Sequence, residues 1–383
     1  MLRSKLVRFL LLPLVALTLL VILGGGWYFS SVLEEDGLRV NNSDPENSVV
    51  VVDISVGSIS LRQLPDAEEQ DMLATSARWG LSDGLNYGQL RNVISDVDGV
   101  ITRELELNIG GFQIGDELFL DRSATPHQPH VALRHEDVVI SGPIGQFGAW
   151  YLLSPNHGKY EGDISDTWAI YVHGRTSNKD ATLKSLGAGG IPSLAIDYRN
   201  DIDAPPSESG YYDFGTTEWR DVEAAVQYAL DNGAKKIILV GYSMGGGVVV
   251  NYQLRSELAE HTVAMILEAP MLNFGRTVDK GAEERGVPAP ITFAAKRFAT
   301  MRFGVDWDAL DFLSRADEIN VPVLLIHGEA DETVPVETSI EFAEALPGLV
   351  ELHTFPEVGH VTAWNWHPTE YNTLVREFIE RFR

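Results

Sequence analysis

The longest hydrophobic run of the chain lies near its N-terminus, where no charged residue occurs between positions 9 and 33. At about 1.5 Å per residue, a helix of that length exceeds the roughly 30 Å hydrocarbon core of a bilayer. The aromatic triplet at 27–29 stands where such side chains favour the membrane interface. The pattern predicts a membrane-spanning helix over residues 1–33.

The charges on either side of this run differ in sign. Arg3, Lys5 and Arg8 precede it, and an acidic triplet at 34–36 follows it. Basic residues favour the cytoplasmic side of a membrane. We therefore expect a single-pass protein with a cytoplasmic N-terminus and an extracytoplasmic catalytic domain.

Two other interpretations of the run stay open. A cleaved signal peptide would also export the protein, but it needs a shorter apolar stretch and a small-residue cleavage site, which only the glycines at 24–26 resemble. A buried core helix fits poorly beside such asymmetric flanks. The sequence does not decide whether the segment is retained or cleaved.

A polar stretch over residues 34–47 predicts a linker, and β-branched runs with period-2 alternation follow it. These runs predict a small β-rich, membrane-proximal region over residues 48–130, whose role the sequence does not reveal. Within it, residues 74–89 are rich in Gly and Asn and are expected to form no regular element.

From residue 131 to residue 383, short apolar strand runs alternate with helix-like segments. This alternation is typical of βαβ units, and unbroken apolar strands indicate burial on both faces. The pattern predicts an α/β domain with a doubly wound, mainly parallel sheet. An insert at about 271–320, rich in Phe, Met and Trp, is expected to be a short helical lid over an acyl chain or, alternatively, helices that pack on the core.

Charge and composition exclude several function classes. The 383 residues contain 55 Asp and Glu against 29 Lys and Arg, a net charge of −26, which argues against binding to nucleic acid phosphates. The chain has no cysteine, which excludes disulfides, thiolate metal sites and a cysteine nucleophile. We expect no metal.

A Gly-x-Ser-x-Gly motif, formed by Gly241, Ser243 and Gly245, lies between the apolar run IILV and a helix-like segment. This context is typical of a nucleophile elbow, a sharp turn from strand to helix that exposes the serine hydroxyl and leaves no space for neighbouring side chains. We expect Ser243 to be a nucleophile. The alternative is a glycine-rich turn with an idle serine.

A serine nucleophile needs a base, which must follow it in the chain if the fold is of this type. His360 is the best candidate because a strand ends a few residues before it and Gly359 leaves the loop adaptable. His367 remains a second candidate. His353, within the strand, and His327, which ends the preceding strand, are expected to be structural.

The base needs an orienting acid. Asp331 lies just past an apolar strand in HGEADETVP and suits this role. Its rivals are Glu329 and Glu332 in the same loop and Glu268 at the end of an earlier strand.

Acyl transfer also needs hydrogen-bond donors for the developing oxyanion. The backbone N–H of Met244 follows the nucleophile, and the N–H of Arg175 follows the strand that ends at Gly174. Both are expected in the oxyanion hole. The Arg175 side chain could bind a substrate carboxylate or phosphate, or form a salt bridge with a nearby acid.

The motifs HG (173–174), IDYRN (196–200), GYSMGG (241–246), HGEADETVP (327–335) and VGH (358–360) together resemble those of α/β-hydrolase-fold serine hydrolases. More narrowly, the chain is similar to membrane-anchored bacterial esterase-like members. The resemblance implies a triad of Ser243, Asp331 and His360 and no cofactor. It covers residues 131–383 and says little about substrate.

These observations predict a membrane-anchored serine hydrolase that cleaves a carboxyl ester, or a related acyl bond, of a small-molecule or lipid-like substrate. An envelope acyltransferase or a peptidase with the same triad remains possible, as does a catalytically silent anchored binding protein on the same fold.

Overall fold

The computed structural model describes residues 2–65, 67, 72–125, 135–153, 165–185 and 190–383, with side chains from residue 12 onward. Helix α1 runs from Leu2 to Leu33 and continues into one π-helical turn, Glu34–Leu38. Among the described residues, this is the one helix long and apolar enough to cross a membrane by length and composition. The basic side chains of Arg3, Lys5 and Arg8 lie outside the described side chains, so their position stays a prediction.

The β-rich region is a closed six-stranded barrel in the order β1-β2-β5-β4-β3-β6. Its strands are β1 Val49–Ser55, β2 Ser58–Gln63, β3 Trp79–Ser82, β4 Tyr87–Val97, β5 Val100–Ile109 and β6 Glu117–Asp121. Residues 126–134, at the expected domain boundary, lie outside the described part of the chain.

The expectation of no regular element over residues 74–89 is wrong, because β3 and the start of β4 lie there. The glycines in this stretch make room for side chains of neighbouring strands. A Cβ atom on Gly80 would lie 2.1 Å from the Tyr87 hydroxyl, and one on Gly88 would lie 2.6 Å from Leu105. Their small size serves strand packing.

The larger domain, from residue 135 onward, is built on an eight-stranded sheet in the order β14-β13-β12-β11-β9-β10-β8-β7. Its strands are β7 His135–Gly142, β8 Gly145–Leu152, β9 Thr167–Val172, β10 Ser193–Ile196, β11 Lys236–Tyr242, β12 Thr262–Glu268, β13 Val323–Gly328 and β14 Val350–Phe355. All pairs from β14 to β10 are parallel, whereas the two pairs at the other edge, β10 with β8 and β8 with β7, are antiparallel. The predicted doubly wound, mainly parallel sheet is confirmed.

The helices of this domain are α2 Trp219–Asp231, α3 Met244–Arg255, α4 Phe274–Glu284, α5 Ala289–Phe303, α6 Val336–Ala345, α7 Ala363–Trp366 and α8 Pro368–Glu380. Apolar side chains are buried on both faces of the sheet. On β11, Ile237 and Leu239 belong to one buried apolar cluster, and Ile238 and Val240 belong to a second. Successive strand residues point to opposite faces. The apolar run of β11 therefore fills two cores at once.

Two contacts position the other parts of the chain around this domain. Helices α4 and α5 occupy the insert predicted as a lid, and α5 packs against α1. The barrel is held to the loop after His360, because Asn365 of α7 donates to the backbone carbonyls of Arg78 and Arg122. Both the N-terminal helix and the barrel thus border the same end of the sheet.

Candidate active site

Ser243 stands between β11 and α3 in a sharp turn. Its backbone has φ +51° and ψ −120°, a conformation that a residue with a side chain adopts only under strain. A Cβ atom on Gly245 would lie 2.3 Å from the carbonyl oxygens of Val172 and His173, and one on Gly241 would lie 2.7 Å from the carbonyl of Gly245. Both glycines are therefore required for helix α3 to approach the sheet.

The structure brings Ser243, His360 and Asp331 into one hydrogen-bonded line. The Oγ atom of Ser243 lies 2.8 Å from Nε2 of His360, and Nδ1 of the same ring lies 2.7 Å from Oδ2 of Asp331. The His360 side chain is 16% exposed and that of Asp331 is 0% exposed. The imidazole can therefore exchange a proton with Ser243 while Nδ1–H donates to the carboxylate.

Four donors converge on the Asp331 carboxylate. The backbone N–H groups of Thr333 and Val334 donate to Oδ1 at 2.8 Å each, and His327 Nε2 lies 3.1 Å from Oδ2, the oxygen that His360 also contacts. Burial alone would raise the pKa of Asp331, but the hydrogen bonds from the two histidines outweigh it and hold this pKa well below its ordinary value. The carboxylate stays ionised.

The contact of His327 with Asp331 is the feature of the candidate site that sequence reasoning missed. His327 is fully buried, and its Nδ1 lies 2.7 Å from the hydroxyl of Ser339. If that hydroxyl donates, Nε2 carries the ring proton and donates to Asp331. The sequence signal was the spacing H-G-E-A-D, which places a histidine four residues before the acid.

The rival acids and base lie elsewhere. Glu268 accepts hydrogen bonds from the Ala363 N–H and the Tyr371 hydroxyl, and Glu329 accepts from Thr354. The ring of His367 stacks on Phe355 at 5.1 Å. Glu332 lines the cavity above the serine, and neither it nor the other rivals bonds to His360.

Two backbone N–H groups near Ser243 are the expected donors of the oxyanion hole. Met244 is the first residue of α3, where helical geometry leaves the N–H without a partner. The N–H of Arg175 likewise has no acceptor among the described residues. Gly174 permits this approach, because a Cβ atom there would lie 3.1 Å from the Cβ of Ser243.

The Arg175 side chain makes no salt bridge or hydrogen bond with any described residue. Burial lowers the pKa of this guanidinium, but arginine remains charged at neutral pH. The expected alternative, a salt bridge to a nearby acid, is therefore not formed with the part of the chain that the structure describes. The guanidinium lines the same cavity as Asp36, a carboxylate that pairs with Arg285 and whose charge partly opposes this lowering of the Arg175 pKa.

His173 braces the loop that carries Arg175. Its Nε2 lies 2.9 Å from Asp201, its Nδ1 lies 2.8 Å from the Gly174 carbonyl, and its ring stacks on Tyr198. Burial alone would lower the pKa of His173, but Asp201 outweighs it and raises this pKa. Because a carbonyl can only accept, Nδ1 donates to the Gly174 carbonyl, and this hydrogen bond fixes the turn at Gly174.

One group of possible metal ligands occurs in the described part of the chain: His173, Asp197 and Asp201, whose donor atoms lie within 4.8 Å of one another. These atoms already have partners. His173 bonds to Asp201, and the Lys179 ammonium pairs with Asp197. The set fits a structural ion-pair cluster better than a metal site.

Two cavities meet at Ser243 and Arg175. The first, of about 430 Å³, is mainly apolar and lies between the end of α1, the lid helices and Ser243. The second, of about 860 Å³, is more polar and lies between the linker, the barrel and the loop after His173. The barrel contributes residues 83–85 to its wall. The serine therefore stands at the junction of an apolar and a polar chamber.

Comparison with known proteins agrees with this architecture. The sequence profile described as "Alpha/beta hydrolase family" matches residues 169–374, more than half of the chain. Protein ABHD12B of Homo sapiens is 27% identical over 236 residues, which cover 55% of this chain and 60% of that protein. The lysophosphatidylserine lipase ABHD12 of Danio rerio is 25% identical over 186 residues, 44% of each chain.

The chain thus spans only about half the length of these curated relatives. Among solved structures, the Pyrococcus furiosus esterase Pf2001 superposes with a TM-score of 0.50 at 24% identity, covering 65% of this chain and 93% of the esterase. At that identity, the likeness concerns the fold alone.

Proposed function

Because the chain belongs to the alpha/beta hydrolase family, we propose that it is a membrane-anchored serine hydrolase that cleaves a carboxyl ester through an acyl-enzyme on Ser243. The observation that carries the proposal is the continuous hydrogen-bond line from Ser243 through His360 to Asp331. In an idle strand–helix turn, nothing would require the serine hydroxyl to meet an imidazole that a buried carboxylate orients.

The geometry supports a two-step reaction. As Ser243 Oγ attacks the ester carbonyl, His360 Nε2 takes its proton, and the N–H groups of Met244 and Arg175 stabilise the oxyanion. When the tetrahedral intermediate collapses, the C–O bond to the alcohol breaks and His360 protonates the leaving oxygen. Water then attacks the acyl-enzyme, giving a proton to His360, and the acid is released as Ser243 regains its proton.

The two chambers favour an amphiphilic substrate. The apolar chamber fits an acyl chain, and the polar chamber beside the barrel fits the alcohol portion. One relative is named a lysophosphatidylserine lipase, which agrees with a single-chain lipid as substrate. The guanidinium of Arg175, which forms no salt bridge with a described residue, would attract a negatively charged head group.

The proposed location follows from α1 and the charges that flank it. The apolar helix would retain the protein in the membrane, with the N-terminus in the cytoplasm and the catalytic domain outside. A reporter enzyme fused after Arg383 tests this orientation. We expect activity only outside the cytoplasm, and reporter activity inside would contradict the orientation without affecting the catalytic proposal.

Ser243→Ala tests the catalytic proposal on the full-length protein in detergent. Covalent labelling by a fluorophosphonate and hydrolysis of a short acyl ester should both be lost. Ser314→Ala, at an exposed serine remote from the cavities, is the matched control and should behave as the wild type. Hydrolysis retained by the Ser243 variant would remove this residue from the mechanism. A transferred acyl group on added glycerol would identify an acyltransferase instead.

A further inference from the structure

The last turns of α1 lie directly against the lid helix α5. A Cβ atom on Gly26 would lie 2.5 Å from the Cβ of Ala294, and one on Gly25 would lie 3.1 Å from Ile291. Small residues of this kind allow two helices to approach closely. The glycines at 24–26, which resemble a cleavage site in the sequence, here include the residues that form this helix contact.

Polar and aromatic contacts hold the same two helices together. The guanidinium of Arg302 on α5 donates to the Trp27 carbonyl at 3.1 Å and to the Ser31 hydroxyl at 2.8 Å. It also lies 4.2 Å from the centre of the Trp27 ring, which meets Phe298 edge to face. The end of α1 is therefore part of the lid assembly.

The turn after α1 is tied to the hydrolase domain as well. The Tyr211 hydroxyl donates to Glu34 at 2.9 Å, and the N–H of Tyr212 donates to the Leu38 carbonyl at 2.9 Å. Both contacts lie within five residues of the end of α1. They therefore fix the orientation of its last turns relative to the hydrolase domain.

Those last turns face the catalytic serine across the apolar chamber. Phe29, Val32 and Leu33 line the same cavity of about 430 Å³ as Ser243. The opposite wall comes from the lid, including Phe274 and Val278. Cavities of this size are typical of small-molecule sites. An acyl chain bound here would lie between the lid and α1.

The same cavity lies at the expected level of the membrane surface. The side chains of α1 from residue 12 to residue 23 are almost all exposed, as a lipid-facing helix requires. Near the cavity, the exposed aromatics Trp27 and Tyr28 belong to the interface region. On the lid helix, Phe293 is 62% exposed and Met301 is 79% exposed. This surface suits contact with lipid head groups and the upper acyl region.

We propose that the end of the membrane helix is a wall of the substrate site: Phe29, Val32 and Leu33 contact the acyl chain of an ester that enters from the adjoining leaflet, and they set the chain length accepted. This inference rests on the proposed ester hydrolysis and adds the route of entry and the residues that select the substrate. The occupant is the chain of a single-chain amphiphilic ester.

The test compares the kcat/KM for a long-chain ester (C14) with that for a C4 ester of the same alcohol, using the full-length protein in lipid nanodiscs. Val32→Trp adds bulk to the cavity wall and should lower the C14-to-C4 ratio at least tenfold. Val21→Trp is the matched control, because it lies eleven residues earlier, about three turns along nearly the same face, and is 53% exposed. It should leave the ratio within twofold of the wild type.

Phe29→Ala provides the opposite change and guards against a folding defect in the tryptophan variant. It enlarges the cavity and should shift the preferred chain length upward. If both cavity variants take up the fluorophosphonate and keep the wild-type ratio, the helix is not a wall of the site and the inference is wrong. A wild type that hydrolyses no ester would overturn the proposed function as well, so the two failures are distinguishable.

Discussion

Removal of the His327 imidazole should slow the reaction although this residue is not expected to touch substrate. His327 provides one of the four hydrogen bonds to the Asp331 carboxylate, and it bonds the same oxygen that orients His360. A hydrogen bond to a charged group contributes about 1.5–3 kcal/mol. At about 1.4 kcal/mol per tenfold change in rate, complete loss of that orientation corresponds to a decrease in kcat of about 10- to 150-fold for His327→Ala.

The assay measures kcat and KM for a soluble short-chain ester, together with the rate of fluorophosphonate labelling. We expect kcat and the labelling rate to fall in parallel while KM changes little, since the cavities that bind substrate are not altered. His327→Gln should restore most of the rate, because its amide nitrogen can donate to Asp331. His353→Ala, on the neighbouring strand β14, is the control for histidine removal and should have no effect. A folded His327→Ala variant with wild-type kcat would refute the positioning role.

Three further predictions test other parts of the site. The selectivity for charge is the kcat/KM for an ester with an anionic head group divided by the kcat/KM for an ester with a neutral one. Arg175→Gln should lower this ratio by about tenfold, as expected for loss of a charge-assisted hydrogen bond. An unchanged ratio would show that the guanidinium does not select charge. Folding lowers the pKa of Asp331 from its ordinary 3.8. The ionised carboxylate should therefore stabilise the wild type relative to Asp331→Asn at pH values well above 4, and this advantage should be lost as the pH falls through the lower folded pKa. Denaturant unfolding at pH 6 and pH 3 measures the difference in unfolding free energy, and a difference that does not change with pH would contradict the argument. Gly245→Ala places a Cβ atom 2.3 Å from two carbonyl oxygens and should cost about 1–3 kcal/mol or more of unfolding free energy, whereas Gly111→Ala, with no neighbouring atom nearer than 4.0 Å, should cost little.

The sheet could be predicted from the sequence because its signal is local. A strand buried on both faces has an unbroken apolar run, as at residues 237–240 of β11. The helices between such strands show apolar residues with the helical repeat of 3.6 residues. The candidate triad could be placed for a related reason, since Ser243, Asp331 and His360 come after strands β11, β13 and β14 in that order. Their catalytic roles stay predictions until the variants are measured.

Features that depend on contacts between distant segments could not be predicted in this way. The barrel includes β3, where Gly80 leaves room for the Tyr87 side chain on the neighbouring strand. In the sequence alone, the same glycine adds to a pattern that predicts no regular element. His327 meets Asp331 only because the loop folds back on the end of β13. The contact between α1 and the lid joins residues more than 250 positions apart, such as Trp27 and Arg302.

The close seating of α1 on α5 bears on how the protein is prepared. A common route to a water-soluble form of an anchored enzyme is to delete the hydrophobic leader. Deletion up to residue 38 would here remove Phe29, Val32 and Leu33 from the wall of the apolar cavity and expose the cavity beside Ser243 to solvent. Detergent would then bind in the exposed cavity, and the substrate preferences of the fragment would differ from those of the intact site. Purification of the intact chain in a lipid environment avoids this artefact.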